Sequence, residues 1–302
     1  MKKPNLLFLT ILSFVFIATS AVALSIKADD VKEETLSSQK VFSPLPVLSG
    51  SETFPIISGQ AALAVDLDSG VTLYEKEPDK QLLPASTTKI VTALVAMEYY
   101  PPDAVLEVKD PGIDGQKMGL VGGEKIKASD LLYGLLVFSA NDAAETLAQN
   151  FPGGRDLFVA AMNLKAKELH LEETHFQNPT GLDGMGHVTT ARDLIRVATV
   201  AMENPEFAKI VGTREKVVKS ENGKIVHRLT NINELLGVVD GVLGVKTGWT
   251  ENARENLVTY LERDGKKIMI VLLGSQDRFG ETRELIDWIF ANYLWQEVKY
   301  PS

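Results

Sequence analysis

A serine hydroxyl attacks a carbonyl only after a nearby base takes its proton. In the stretch "PASTTKIVTAL", Ser86 and Lys89 are spaced so that one side chain could serve the other. Pro84 lacks an amide hydrogen, so it precedes a helix or opens its first turn. Ile90, Val91, Leu94 and Val95 recur at helical spacing before Pro101-Pro102, which predicts a helix over 86–100. Ser86 and Lys89 then share one face of its first turn. A cation is costly there, because the macrodipole is already positive, and local costs of this kind collect at functional sites. Lys89 can act as a base only if its pKa falls well below the ordinary value of about 10.4. Burial lowers it, as do nearby positive charges such as Lys246 and the helix N-terminus. The Ser86 amide at the same helix start is a candidate oxyanion donor.

Two further stretches carry compatible chemistry. Ser139-Ala140-Asn141 interrupts a helical region just before Asp142, and Lys246-Thr247-Gly248 lies on an apolar strand. Gly248 removes a side chain from that strand, which predicts close approach of a substrate backbone. Each motif alone is weak. Ser37–Lys40 repeats the first spacing in a polar segment with no helix after it, and Ser220-Glu221-Asn222 repeats the second ahead of a turn. Order and context separate the real set from these decoys. The three together are the motif set of penicillin-binding proteins and class A β-lactamases.

The elements that must position these residues follow from the pattern. "QAALAVDLDSGVTLYEKE" reads as a β-hairpin around Asp68-Ser69-Gly70. Asp66, Asp68 and Glu77 only superficially suggest a calcium loop, since Gly70 takes a ligand position and the flanks read as strands. The middle of the chain is mostly helical, and Thr190 with Asp193 reads as a capping box. Asn222-Gly223 marks a second hairpin. Strands are expected through Gly244–Thr247, Asn256–Leu261 and Lys267–Leu273, with a last helix at about 281–294. The fold class is α+β: an antiparallel sheet formed by the N- and C-terminal segments, with a mostly helical subdomain between them.

The chain has 302 residues and a net charge of −9, with no basic stripe to neutralise phosphates, so a nucleic-acid partner is not expected. It has no cysteine, which excludes disulfides, thiolate catalysis and Cys-based metal sites. Lys2 and Lys3 precede an uncharged apolar run over 6–24, and Ala21-Val22-Ala23 fits an export cleavage site. Residues 1–24 are therefore expected to be a signal peptide or N-terminal membrane anchor. Residues 25–55 are expected to be a flexible linker and 56–302 the catalytic domain.

From about Gln60 to Trp288 the chain resembles the low-molecular-mass penicillin-binding proteins, the serine-type D-alanyl-D-alanine carboxypeptidase family. The likeness rests on the three motifs and on "DLLYGLLVFSANDAAETLA", "FQNPTGLDGMGHVTTARDL" and "GVKTGWTENARENLV". It implies a β-lactamase/transpeptidase-like domain that acts on peptidoglycan stem peptides outside the cytoplasmic membrane, binds β-lactams and needs no metal or cofactor. It further implies that Ser86 is acylated by the penultimate D-alanine carbonyl, with Lys89 as proton acceptor. Ser139 would pass a proton to the leaving amine and Asn141 would hold the substrate amide. Lys246 and Thr247 would bind the carboxylate region, the Ser86 and Trp249 amides would form the oxyanion hole, and Arg278 would pair with the carboxylate. Relatives with a C-terminal β-rich domain and amphipathic anchor continue past the position of Trp288, which favours retention of the N-terminal segment here. Single-domain relatives include enzymes that cut D,D cross-links. Arg254-Glu255 replace the small and aromatic residues common in the family.

Other readings fare worse. A class A β-lactamase needs a deacylating glutamate, and no Glu-x-x-Leu-Asn stretch lies between Asn141 and Lys246. A non-turnover sensor should signal to a cytoplasmic domain, yet five residues precede the apolar run. No Gly-x-Ser-x-Gly occurs for a Ser-His-Asp hydrolase, and His170 and His175 lack zinc-site spacing.

Overall fold

The computed structural model describes residues 43–50 and 53–297. At its centre is a five-stranded antiparallel sheet in the order β3-β2-β10-β9-β8. The strands are β2 (Ala61–Asp66), β3 (Thr72–Lys76), β8 (Val242–Thr250), β9 (Arg254–Arg263) and β10 (Lys266–Ser275). The first hairpin therefore pairs with strands from the end of the chain, as the α+β reading expects, and β8 is left as an edge.

Alternation along the strands sets the two layers, because successive side chains point to opposite faces. Leu63, Val258, Met269, Val271 and Leu273 face the larger core with the helical subdomain. Ala62, Ala64, Leu257, Ile268, Ile270 and Leu272 face the other side, against Leu285, Ile286 and Ile289 of the last helix. The helices of the subdomain are α1 (Lys89–Tyr99), α2 (Ala128–Val137), α3 (Asn141–Asn150), α4 (Gly154–Glu168), α5 (Ala191–Glu203) and α6 (Pro205–Val211). The last helix is α7 (Arg278–Asn292). Short ribbons β4–β5 (Val105–Glu107 and Lys125–Lys127) and β6–β7 (Glu215–Lys219 and Val226–Thr230) complete the subdomain.

Several boundaries differ from the sequence reading. The helix expected over 86–100 opens as a 3₁₀ turn, Ala85–Thr88, and becomes α-helical only at Lys89. The final helix stops at Asn292, and Leu294 belongs to strand β11 (Tyr293–Gln296). The linker expected through residue 55 is partly built into the fold. Leu45–Leu48 forms β1, which pairs with β11, and the Trp288 indole donates to the Thr53 carbonyl at 2.8 Å. A four-residue strand with Pro46 inside it gave no period long enough to be read as one. The signal or anchor segment 1–24 lies outside the described residues. Thr190 caps α5 by accepting from the Asp193 amide, but the Asp193 carboxylate turns away to the Glu173 amide and the Thr174 hydroxyl, so only half of the box forms. Asp66 is likewise a turn residue: one oxygen accepts from the Ser69 amide and hydroxyl, and the other from the Trp295 indole.

Candidate active site

The 3₁₀ turn before α1 carries Ser86 at the floor of a cleft of about 660 Å³ between the sheet edge and the helical subdomain. Ser86 is the one residue of Ala85–Lys89 that is not fully buried. Two glycines let the chain crowd this turn from either side. A Cβ on Gly248 of β8 would lie 3.0 Å from the Ser86 amide nitrogen, and one on Gly181 would lie 1.8 Å from the Ala85 carbonyl oxygen. The space that Gly248 leaves on its Cβ side is thus filled by the Ser86 turn, and the same residue lines the cleft. Asn256, fully buried on β9, fixes the same turn to the sheet. Its amide donates to the carbonyls of Leu83 and Pro84, while its oxygen accepts from the Gly274 amide.

Lys89 is 0 % exposed, and its Nζ lies within hydrogen-bond distance of three oxygens. These are Ser86 Oγ at 2.8 Å, Asn141 Oδ1 at 2.7 Å and the Thr180 carbonyl at 2.5 Å. A neutral amine has two hydrogens and one lone pair. With Asn141 and Thr180 accepting the two hydrogens, the lone pair points at the Ser86 hydroxyl. Burial brings the Lys89 pKa down to about 7, against the opposing charges of Asp142 and Glu145, which raise it. The expectation that Lys246 helps to depress Lys89 is not what dominates; desolvation does. The repulsion between the two lysines is felt by Lys246, whose pKa is lowered well below its ordinary value by burial, then by Lys89 and Arg278.

Ser139 sits between α2 and α3 with φ of 62°, and its hydroxyl accepts from Lys246 Nζ at 2.9 Å. Lys246 also donates to the Thr247 carbonyl at 2.8 Å. Asn141 opens α3 with both ends of its amide engaged, Oδ1 by Lys89 and Nδ2 to the Asp114 carbonyl at 2.7 Å. Asn141 thus orients the lysine, and it lines the cleft as well. Arg278 lines the same cleft. Its Nη1 donates to the Gly248 carbonyl at 3.0 Å, while its Nε and the Thr247 hydroxyl are buried with no protein partner. Glu255 accepts from the Arg278 backbone amide at 2.9 Å, which gives this departure from the family pattern a place at the start of α7. Trp249 stands 62 % exposed on the cleft rim.

Sequence reasoning missed the residues that set these up. Asn178 holds the 178–182 loop by accepting from Thr180 N, Thr180 Oγ1 and Gly181 N. Asp142 accepts from the amides of Met118, Gly119 and Leu120 and so ties the segment that follows the cleft residues Gly115 and Gln116 to the start of α3. The Asn-Pro-Thr-Gly turn signature was the available signal for the first; the second had none.

A serine beside a neutralised lysine, with a second lysine–serine pair next to it on the edge of an antiparallel sheet, defines a serine acyl-transfer enzyme of the penicillin-binding fold. A family profile described as D-alanyl-D-alanine carboxypeptidase matches residues 49–277, and the chain belongs to that family. The D-alanyl-D-alanine carboxypeptidase DacB2 of Mycobacterium tuberculosis is 36% identical over 253 residues, covering 80% of this chain and 86% of its own. A D-alanyl-D-alanine endopeptidase of Pseudomonas aeruginosa is 32% identical over 241 residues, covering 77% of each chain. The crystal structure of the Streptomyces K15 DD-transpeptidase superposes with a TM-score of 0.75 at 30% identity, covering 79% of this chain and 99% of that one.

Proposed function

We propose that the protein is a serine D-Ala-D-Ala carboxypeptidase that removes the terminal D-alanine from peptidoglycan stem peptides through a Ser86 acyl-enzyme. The observation that carries this is the buried Lys89 amine 2.8 Å from Ser86 Oγ, with Asn141 Oδ1 and the Thr180 carbonyl placed to accept both hydrogens of its neutral form. Lys89 takes the hydroxyl proton as Ser86 attacks the penultimate D-alanine carbonyl, and charge developing on that oxygen meets the amides of Ser86 and Trp249. The Lys246–Ser139 pair delivers a proton to the departing amine. The unpartnered Thr247 hydroxyl and Arg278 Nε support recognition of the terminal carboxylate, since each is a buried group with unused hydrogen-bonding capacity. β-Lactams present a strained amide and a carboxylate in the same relation, so they acylate Ser86 as well.

The substrate lies outside the cytoplasmic membrane, and the lysine-flanked apolar run over 6–24 supports export with that segment either cleaved or kept as an anchor. The likeness to an enzyme named as an endopeptidase supports a second reading, hydrolysis of D,D cross-links by the same acyl-enzyme. Incubation with a mixture of pentapeptide monomers and cross-linked dimers, read by mass spectrometry, tests the two. Loss of one alanine from monomers with intact dimers is the expected result. Split dimers with persisting pentapeptides would replace it by the endopeptidase.

A further inference from the structure

The arrangement around Lys89 depends on the Thr180 carbonyl, and the loop that carries it is tied down by a buried histidine. His187 is 1 % exposed. Its Nδ1 receives the Gln177 backbone amide at 3.3 Å and faces Asn178 Nδ2 at 3.3 Å, so two donors converge on that nitrogen. Nδ1 must therefore be the unprotonated acceptor, and the ring proton resides on Nε2. Nε2 lies 2.9 Å from the hydroxyl of Thr88, the residue before Lys89. Nδ1 thus holds the start of the Gln177-Asn178-Pro179-Thr180 loop, and Nε2 holds the turn that carries Ser86 and leads into Lys89. Asn178 then orients Thr180.

We propose that His187 is a positioning residue for the acylation step, clamping the Thr180 carbonyl to the Ser86–Lys89 turn as one specific neutral tautomer. This rests on the reading of Lys89 as base. Protonating Nδ1 would oppose a proton to the Gln177 amide and release the loop. Burial and the neighbouring His175 hold the His187 pKa down to about 4 against the pull of Asp183, so the tautomer persists at neutral pH. Lys89, one residue beyond Thr88, is the titratable group next along the chain from that contact, and burial lowers its pKa as well.

The test is the second-order rate of Ser86 acylation by a labelled penicillin across pH, with thermal unfolding measured in parallel. His187→Gln keeps a donor for Thr88 but loses the Nδ1 acceptor; His187→Asn keeps that acceptor but falls short of Thr88. Both should acylate about tenfold more slowly or worse. The acid limb set by Lys89 should move to lower pH, because a loosened Thr180 carbonyl no longer favours the protonated amine. Thr88→Val, which removes only the far contact, should shift the limb in the same direction, and Thr88→Ser should restore it. A wild-type rate and limb in folded His187→Gln, or lower melting temperature with an unmoved limb, would overturn the proposal. If the histidine variants do not fold, the Thr88 pair decides it by the same criterion. Normal acylation by Lys89→Ala would instead defeat the base assignment, so the two failures are distinguishable.

Discussion

Lys246 Nζ donates to Ser139 Oγ across 2.9 Å with both groups buried, placing a second lysine–serine pair beside Ser86 and Lys89. Ser139 holds left-handed backbone geometry there, which costs a non-glycine residue about 1–3 kcal/mol and is retained where surrounding structure enforces it. Lys246 is pressed by burial and by Lys89 and Arg278 to give up its proton. The pair is suited to passing a proton through the serine hydroxyl to a leaving amine. Ser139→Ala should therefore slow acylation by about 10²–10⁴-fold, with the melting temperature changed by only a few degrees. Stopped-flow acylation with a labelled penicillin measures this, and an unchanged rate would remove Ser139 from the proton path.

Lys89 gives a pH signature of its own. Only the neutral amine can accept a proton, so acylation should rise about tenfold per unit below pH 7 and level off above it. The sign for stability follows from proton counts. Between about 7 and the ordinary value of 10.5 the unfolded chain holds the Lys89 proton and the folded chain does not, so this residue's contribution to stability increases with pH. Below 7 its full cost is present. Lys89→Met removes that cost but strands the acceptors on Asn141 and Thr180, so a net gain of about 1–3 kcal/mol is expected at pH 6.5. The gap between variant and wild type in urea titrations should narrow toward pH 9. A gap that widens would contradict a neutralised Lys89.

How much of this was legible in the sequence depends on separation along the chain. Ser86 with Lys89 and Ser139 with Asn141 are near neighbours, so spacing, together with order along the chain and local context, exposed them, and the strands were visible in apolar runs. The residues that hold the pieces together act at long range. Asn256 reaches Pro84 across 172 positions and His187 reaches Thr88 across 99, and an isolated Asn or His carries no mark of its partner. At Gly248 a motif says that space is needed without saying that the Ser86 turn occupies its Cβ side. β1 was lost for the same reason: its partner strand is at the other end of the chain.

The glycine requirement at 181 is open to a direct test. A methyl group there would meet the Ala85 carbonyl carbon at 2.4 Å and the Ser86 nitrogen at 2.9 Å, and φ is +88°. Neither neighbour is a side chain that can swing aside. Gly181→Ala should cost about 3–5 kcal/mol and abolish penicillin labelling of whatever remains folded. Gly184→Ala is the control, since its nearest atoms are the side chains of Gln177 and His187 at 3.5 Å and beyond. It should bind label as the wild type does. Equal behaviour of the two variants, in labelling and in calorimetry, would show that the close approach at Gly181 is unimportant.

Arg278 brings a charge to the cleft wall with one guanidinium nitrogen spent on the Gly248 carbonyl and Nε unspent. Burial lowers its pKa, while Glu255 and Glu234 counteract that, and the group remains cationic at any working pH. A cation held in place with unused donors favours a substrate that ends in a carboxylate. A charge-assisted hydrogen bond contributes about 1.5–3 kcal/mol, so Arg278→Gln should lower kcat/KM for a D-Ala-D-Ala peptide by about 10–100-fold. The loss should appear mainly in KM if the contact forms equally in ground and transition states. The sharper comparison uses the same peptide with its C-terminus amidated. Wild type should prefer the free acid strongly, and Arg278→Gln should treat acid and amide nearly alike. A variant that keeps the full preference for the acid would assign carboxylate recognition to Thr247 and Lys246 instead, leaving Arg278 to hold the Gly248 carbonyl in place.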